Sequence, residues 1–431
     1  MITFSFILIY LLIISFVYIN LKRSGVLVYI SITWWFLWII ISYNSISGYF
    51  IPGVKTLTIL ISFFVSLCIG IYLKKYIIIK PFFKIKCDDI HELFKEKVIF
   101  IFIITFILPF SILGCIRTIY LLSTKFSQAS YRSEVFGLNT GSSELFFNFN
   151  HLASLYWNLI IPLYWSILLI GIIYFLKYKK IRLLIMSFCL FILDSITTVG
   201  RFGMHYVIFT IILIFLLSYT FNLIQLNKKK LSIILLIILS ILVSMFSIRS
   251  GKDITHSFDH YVIGYHTSSL VILDQELNNP NSIIHDKTLG SSFWTGIFNS
   301  VRYLFANILG IPWVGEGDVM GGYLHPSRLV GFDKNNIPLY NNAFGTIFFS
   351  MYRDGGFLGI ILYGIFFGYI LGITSKSLPN KKSDQILFHI SLIYILVYGI
   401  FQPFTSGPIL QAIVISTIFL KFPVKTKKNT I

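Results

Sequence analysis

Charge is scarce in this chain. Asp, Glu, Lys and Arg together supply 12 % of its 431 residues, about half of the ~25 % found in a soluble domain. A water-facing globular surface cannot be built from so little charge, which excludes a soluble enzyme. Acidic groups are the scarcer sign, 17 against 35 basic ones. No Asp-x-Asp pair occurs in the polar segments, so nothing supports a divalent-metal site for a sugar nucleotide. There are four cysteines: Cys68, Cys115 and Cys189 in apolar runs and Cys87 in a basic stretch. None lies in the one long polar segment, which excludes a disulfide framework there. No CxxC or His/Cys ligand spacing is present either, so neither a metal nor a cofactor is expected. The first residues carry no basic region and no small-residue cleavage site, and no cleavable signal is expected. Internal repeats are also missing.

What is abundant is apolar sequence, 56 % of the residues. Several uncharged runs exceed ~18 residues, enough to cross a hydrocarbon core of ~30 Å. The expectation is an all-α polytopic integral membrane protein with about 11 transmembrane helices (10–12) and one large periplasmic or extracellular loop. Spans one to eight occupy 1–248, from Thr3–Leu21 to Leu231–Ile248, and Pro109 predicts a kink in span four. The large loop covers 249–356 and ends in a short helix over 343–352. Spans nine to eleven, opening at Phe357, and a basic tail fill 357–431.

Lysine fixes the orientation. Every second connection is lysine-rich and the alternate ones are nearly empty of lysine, which makes the rich ones cytoplasmic. The N-terminus and Arg249–Tyr340 then lie outside and the C-terminus inside. The net charge of +18 comes from these lysines, so no nucleic-acid partner is expected. The segment Ala343–Tyr352 gives ~15 Å of helix, too short to span. It reads as an interfacial or re-entrant helix, capped by Asn341 or Asn342 in front and by glycines behind. Gly364, Gly368 and Gly372 lie four apart in span nine and predict a face that another helix approaches closely.

The two basic residue types divide by side. Cytoplasmic connections use lysine, with Arg23 and Arg182 the exceptions. The outer side holds Arg117, Arg132, Arg201, Arg249, Arg302, Arg328 and Arg353. Orientation alone gives no reason to change type. Guanidinium offers a planar fork that grips phosphate through two hydrogen bonds, whereas ammonium is a point charge. Arg117, Arg201 and Arg249 sit at span ends, where they meet lipid headgroups or a bound diphosphate. Arg201 stands in a glycine-flanked turn that a ligand's atoms can approach. Asp194, seven residues earlier, is a carboxylate inside a span and needs a partner; it reads as an ion pair with Arg201 or as its orienting group. Of the outer histidines, His151, His256, His260, His266, His285 and His325, only His325 stands out, because Tyr323–Arg328 leads toward the short helix. Loop aromatics such as Trp294, Trp313 and Tyr340 suit sugar stacking or the membrane interface equally.

A resemblance appears at these residues. Asn342-Ala343-Phe344-Gly345-Thr346, then Tyr352-Arg353-Asp354-Gly355-Gly356 and Gly359, resembles the pattern that closes the large outer loop of bacterial O-antigen polymerases, the Wzy-type oligosaccharide repeat-unit polymerases. The turn Thr198–Gly203 is similar to that family's arginine turn. Related O-antigen ligases usually carry His-Asn where this chain has Asn341-Asn342, a departure that favours polymerase. The resemblance implies a glycosyltransferase of the bacterial cytoplasmic membrane. Its substrate would be a polyprenyl-diphosphate-linked oligosaccharide, polymerised at the outer face into O-antigen or capsular-type polysaccharide. Membrane lipids and a chain-length regulator are the partners it allows. Arg201 and Arg249 become the expected catalytic arginines, with His325 or Asp354 as general base. Arg117, Arg302, Arg328, Asn342 and Arg353 become substrate-binding residues. A ligase-type transferase is the alternative within this class. A flippase or transporter is less well matched, because the central spans carry almost no midplane charge.

Overall fold

The computed structural model describes residues 2–45, 48–77, 89–127, 130–131, 144–147, 149–221, 259–303, 305, 309–311, 313–333, 335–341, 345–378 and 383–421. Helices dominate. Helix α1 (Ile2–Leu21) joins α2 (Val26–Tyr43) through one 3-10 turn, and α3 (Val54–Leu73) follows. Two bent helices come next. The first is α4 (Asp89–Phe102), a π-turn and α5 (Leu108–Thr124). The second is α6 (Asn150–Leu155), a π-turn and α7 (Ile161–Tyr178). Each π-turn ends just ahead of a proline, Pro109 or Pro162. A proline cannot donate to the preceding turn, and the wider π-turn absorbs that missing bond. Helices α8 (Arg182–Thr197) and α9 (Phe202–Thr220) form a hairpin.

The large polar segment contains helices α10 (Tyr265–Asn278), α11 (Ser291–Tyr303) and α12 (Glu316–Leu324), then strands β1 (Arg328–Phe332) and β2 (Pro338–Asn341). The chain closes with α13 (Ile347–Ser377), α14 (Ser383–Tyr398) and α15 (Ile409–Lys421). The hairpin departs from an all-α expectation. Its register pairs Arg328 with Asn341 and Phe332 with Pro338, with a bulge between Leu329 and Gly331. Gly331 lacks a side chain where the Gly48 carbonyl comes closest. The turn after α2 therefore adds hydrogen bonds from Phe50 N to Val330 O (2.8 Å) and from Phe332 N to Gly48 O (3.0 Å).

Among the described residues, six helical stretches are long and apolar enough to cross a membrane: Ser5–Tyr43, Val54–Leu73, Lys95–Thr124, His151–Tyr178, Phe202–Thr220 and Ile347–Ser375. The chain is a multi-pass helical membrane protein. Helices α8, α14 and α15, at 16, 16 and 13 residues, are shorter than a full crossing. The eighth expected span, over 231–248, lies outside the described residues.

Two packing features position the polar segment. The first is α3 against α13. A Cβ on Gly368 would sit 1.9 Å from the Leu67 carbonyl oxygen, and one on Gly70 would sit 2.1 Å from that of Ile365. The helices touch backbone to backbone. The second is the depth of the turn between α14 and α15. The indole N–H groups of Trp35 and Trp34 donate to the carbonyls of Leu396 (2.7 Å) and Val397 (3.2 Å). Trp35 lies eight residues inside Tyr43, or ~12 Å down the helix. The end of the helix bundle that carries the polar segment is therefore recessed beside Trp34 and Trp35, and this recess forms a dish about 12 Å deep. Phe348, near the start of α13, reaches the same depth, with its ring 5.0 Å from Trp35 and 4.9 Å from Phe63.

Helix α13 runs outward from that depth and breaks. Gly355 and Gly356 are non-helical, and Gly356 adopts φ 63°, ψ −145°, a conformation only glycine holds without strain. Loop amides of Thr288 and Leu289 take up the carbonyls of Arg353 and Asp354, both at 3.1 Å. The cap at the start of the helix is Thr346, whose hydroxyl accepts from Phe348 N (3.2 Å). This corrects the expected asparagine cap, since Asn341 belongs to β2.

Candidate active site

Three of the expected phosphate-gripping arginines, Arg302, Arg328 and Arg353, hold carboxylates. Arg353 is 4 % exposed. Its Nη2 donates to Glu316 Oε2 (2.9 Å), its Nε to Ser292 Oγ (3.2 Å) and its Nη1 to Ile283 O (2.5 Å). Asp354, 3 % exposed, accepts from Thr288 Oγ1 (2.6 Å), Ser292 N (2.9 Å), Phe293 N (3.1 Å) and Tyr363 Oη (2.7 Å). It caps the N-terminus of α11. A carboxylate with four donors on it has no lone pair aimed at an acceptor hydroxyl, which corrects its expected role as general base. Arg302 pairs with Asp318, and Arg328 pairs with the fully buried Glu276 while lying over the Tyr323 ring at 5.0 Å. These three arginines tie the polar segment together through carboxylates. Removing one partner of a buried pair strands the other charge, at a cost of about 3–5 kcal/mol. Arg353→Ala is thus expected to lower thermal stability by that order. Thermal unfolding in detergent, compared with the Glu316→Gln/Arg353→Met double variant, measures it. A smaller loss in the double variant identifies the stranded charge as the cause.

The arginine turn is built differently. Val199 takes a left-handed conformation (φ 47°), and Gly200 N returns to Ser195 O (3.0 Å), which ends α8. Gly203 lets α9 start against α8, since a Cβ there would lie 2.2 Å from the Phe191 carbonyl. Thr118 Oγ1 of α5 (3.1 Å) and Tyr131 Oη (2.9 Å) donate to Thr197 O. The turn is thereby held from two sides. Half-buried Arg201 is the residue before α9, and its carbonyl accepts from His205 N (3.1 Å), one turn on. Asp194 accepts a hydrogen bond from Tyr156 Oη (2.6 Å). Arg117 lies over the rings of Phe147 (4.6 Å) and Tyr120 (5.0 Å), and its Nε reaches Glu144 O (3.4 Å).

A histidine that spacing could not single out packs on Phe401, the ring that also meets Phe202 of this turn. Helix α10 is pinned at its outer part by Asp274, which accepts from Gly53 N (2.8 Å) and Thr56 Oγ1 (2.6 Å). Eight residues earlier the helix dips into the dish and delivers His266. Its ring stacks on Trp38 (3.8 Å, 13°), meets Trp34 edge-on (5.0 Å) and faces Phe401 (4.4 Å). Phe401 in turn meets Phe202, the neighbour of Arg201, at 6.0 Å. His266 Nδ1 lies 2.6 Å from Val262 O. A carbonyl can only accept, so Nδ1 carries the proton and Nε2 carries the lone pair. Burial pushes the imidazole from its usual 6.5 down to about 3, against the Val262 bond, with the nearby His205 adding to the lowering. The ring is neutral at pH 7. Asn341 arrives from β2 and donates to Ser268 Oγ (2.7 Å), two residues on from His266.

His325 stands exposed at the end of α12, and among the described residues no side chain is bonded to its ring. Arg249 and Asn342 lie outside the described residues. Of the expected site residues, Arg201 stands one turn from His205, and Arg302, Arg328 and Arg353 are paired with carboxylates. Compared with protein-family models, curated proteins and solved structures, the chain matches none.

Proposed function

We propose that this chain joins oligosaccharide repeat units carried on a polyprenyl diphosphate, at the outer face of a bacterial cytoplasmic membrane. The observation that supports the reading is a glycine-framed arginine turn whose Phe202 ring meets Phe401 (6.0 Å), which in turn packs on a neutral, tautomer-fixed histidine, His266 (4.4 Å). In the reaction an acceptor hydroxyl attacks the anomeric carbon of the donor sugar. The carbon–oxygen bond to the diphosphate breaks, and the hydroxyl proton passes to a base. Arg201 suits the diphosphate, because negative charge grows on the leaving oxygen and a fixed fork of donors stabilises it. His266 Nε2 suits the proton. Its proton affinity is low while the site is empty. A docked diphosphate is anionic and favours imidazolium, so the affinity rises when substrate is present. The outer arginines that hold carboxylates then serve to fix the loop over the dish.

Deletion of the gene tests the reading. A repeat-unit polymerase acts before transfer to the final acceptor, so deletion is expected to leave single units on the cell surface and remove the ladder of longer chains. A surface without decoration, with long chains retained on the carrier, would mark a ligase. Single units trapped on the cytoplasmic side would mark a flippase.

A further inference from the structure

An apolar groove of about 430 Å³ lies between α11, α13, α14 and α15. Its walls are α13, α14 and α15, with Phe366, Leu392 and Val414 among them, and Lys421 stands at one end. The other end is roofed by Phe293 and Trp294 of α11. Phe293 stacks on Tyr363 (4.3 Å, 29°), and Trp294 meets Phe366 edge-on at 5.8 Å. The roof is firmly seated. A Cβ on Gly296 would lie 2.2 Å from the Thr405 carbonyl, and Asn299 Nδ2 donates to Ser406 O (3.2 Å).

Length, volume and charge identify an occupant. Leu410 and Lys421 both line the groove, and eleven residues of helix span ~16 Å at ~1.5 Å each. That is half of a ~30 Å hydrocarbon core, the depth of one leaflet. The volume sits at the low end of the ~300–1,000 Å³ range of ligand pockets, which suits one hydrocarbon chain rather than a long polyprenyl. The aromatic roof closes the outer end. The opposite end carries an exposed ammonium in the last turn of α15, where an anion is drawn. We propose that this groove binds one acyl chain of an anionic phospholipid of the cytoplasmic leaflet, with its headgroup at Lys421. The bound chain fills the space beneath α11 and so supports the helix that Asp354 caps. The proposal rests on the orientation read from lysine, not on the transferase reading. The polyprenyl carrier is not the occupant, because its diphosphate belongs on the outer side.

The full chain, purified in mild detergent, is the test material. Native mass spectrometry is expected to show about one retained phosphatidylglycerol per chain, which Val414→Trp, filling the groove, removes. Lys421→Glu is expected to weaken retention about tenfold. In unaltered protein, phosphatidylglycerol bearing a photoreactive acyl chain is expected to label peptides 291–303 and 409–421. Labelling that misses 291–303, persists undiminished in Val414→Trp, or is equal with phosphatidylcholine overturns the proposal. So does displacement of the label by a polyprenyl phosphate, or cross-linking of two copies through the groove. Loss of polymerase activity in a deletion strain bears on none of these outcomes.

Discussion

Gly368→Ala is expected to abolish tight packing of α3 on α13 and to cost ~3 kcal/mol or more. Overpacking usually costs about 1–3 kcal/mol, and here the added carbon would meet backbone, 1.9 Å from the Leu67 carbonyl oxygen, where no rotamer change can yield. In lipid the loss is not recovered elsewhere, because the tails are as apolar as the helices and close contact is what holds spans together. The neighbouring glycines grade the effect. A Cβ on Gly364 would lie 2.7 Å from Phe63 O and from the Ser66 side chain, whereas one on Gly372 finds its nearest atoms at 3.4 Å. Gly372→Ala should therefore leave thermal stability nearly unchanged, Gly364→Ala should lower it, and Gly368→Ala should lower it most. Thermal unfolding of the three purified variants reads the order. Equal stability of Gly368→Ala and Gly372→Ala would mean that the helices do not approach through this face. The consequence reaches the outer face, since α13 carries the Gly355–Gly356 break and the carboxylate that seats α11.

That packing face was legible in the sequence because a four-residue period is a local property of one helix. The break at Gly355–Gly356 was legible for the same reason. The partners of the arginines were not. Arg353 meets Glu316, 37 residues away, and Arg328 meets Glu276, 52 residues away. No local pattern connects such pairs. The fork that grips phosphate also grips a carboxylate, and the residue type alone does not choose. His266 carried no signal, since a lone histidine before Thr267 and Ser268 is ordinary. Its role depends on the depth at which α10 enters the dish, and that depth is set by the short α14 and the two indoles bonded to its end. The hairpin was missed because Leu329 and Val330 alternate with too few polar residues to mark a strand.

Arg201→Lys and His266→Gln are expected to remove most polymerisation while leaving the protein folded. Lysine keeps the charge at 201 but loses the planar fork, and removing one fixed donor to a developing oxyanion costs about 10²–10³-fold in rate. Glutamine at 266 can still donate to Val262 O but cannot take up a proton, and loss of a positioned base costs about 10²–10⁴-fold. A complemented deletion strain should therefore show a ladder collapsed to single units for both variants, at protein levels and thermal stability equal to the parent. His266→Phe separates chemistry from packing, because the phenyl ring still fills the slot between Trp38 and Phe401. It should match glutamine in activity and the parent in stability. The exposed His325 supplies the opposite control, and His325→Ala should retain the full ladder. If His325→Ala collapses the ladder and His266→Gln does not, the base is the exposed loop histidine and the dish serves another purpose. A normal ladder from Arg201→Lys would reduce Arg201 to an anchor for lipid headgroups at the end of α8. In that case the diphosphate is held elsewhere on the outer face, and Arg117, whose guanidinium lies over two rings and beside no described carboxylate side chain, is the next arginine to replace.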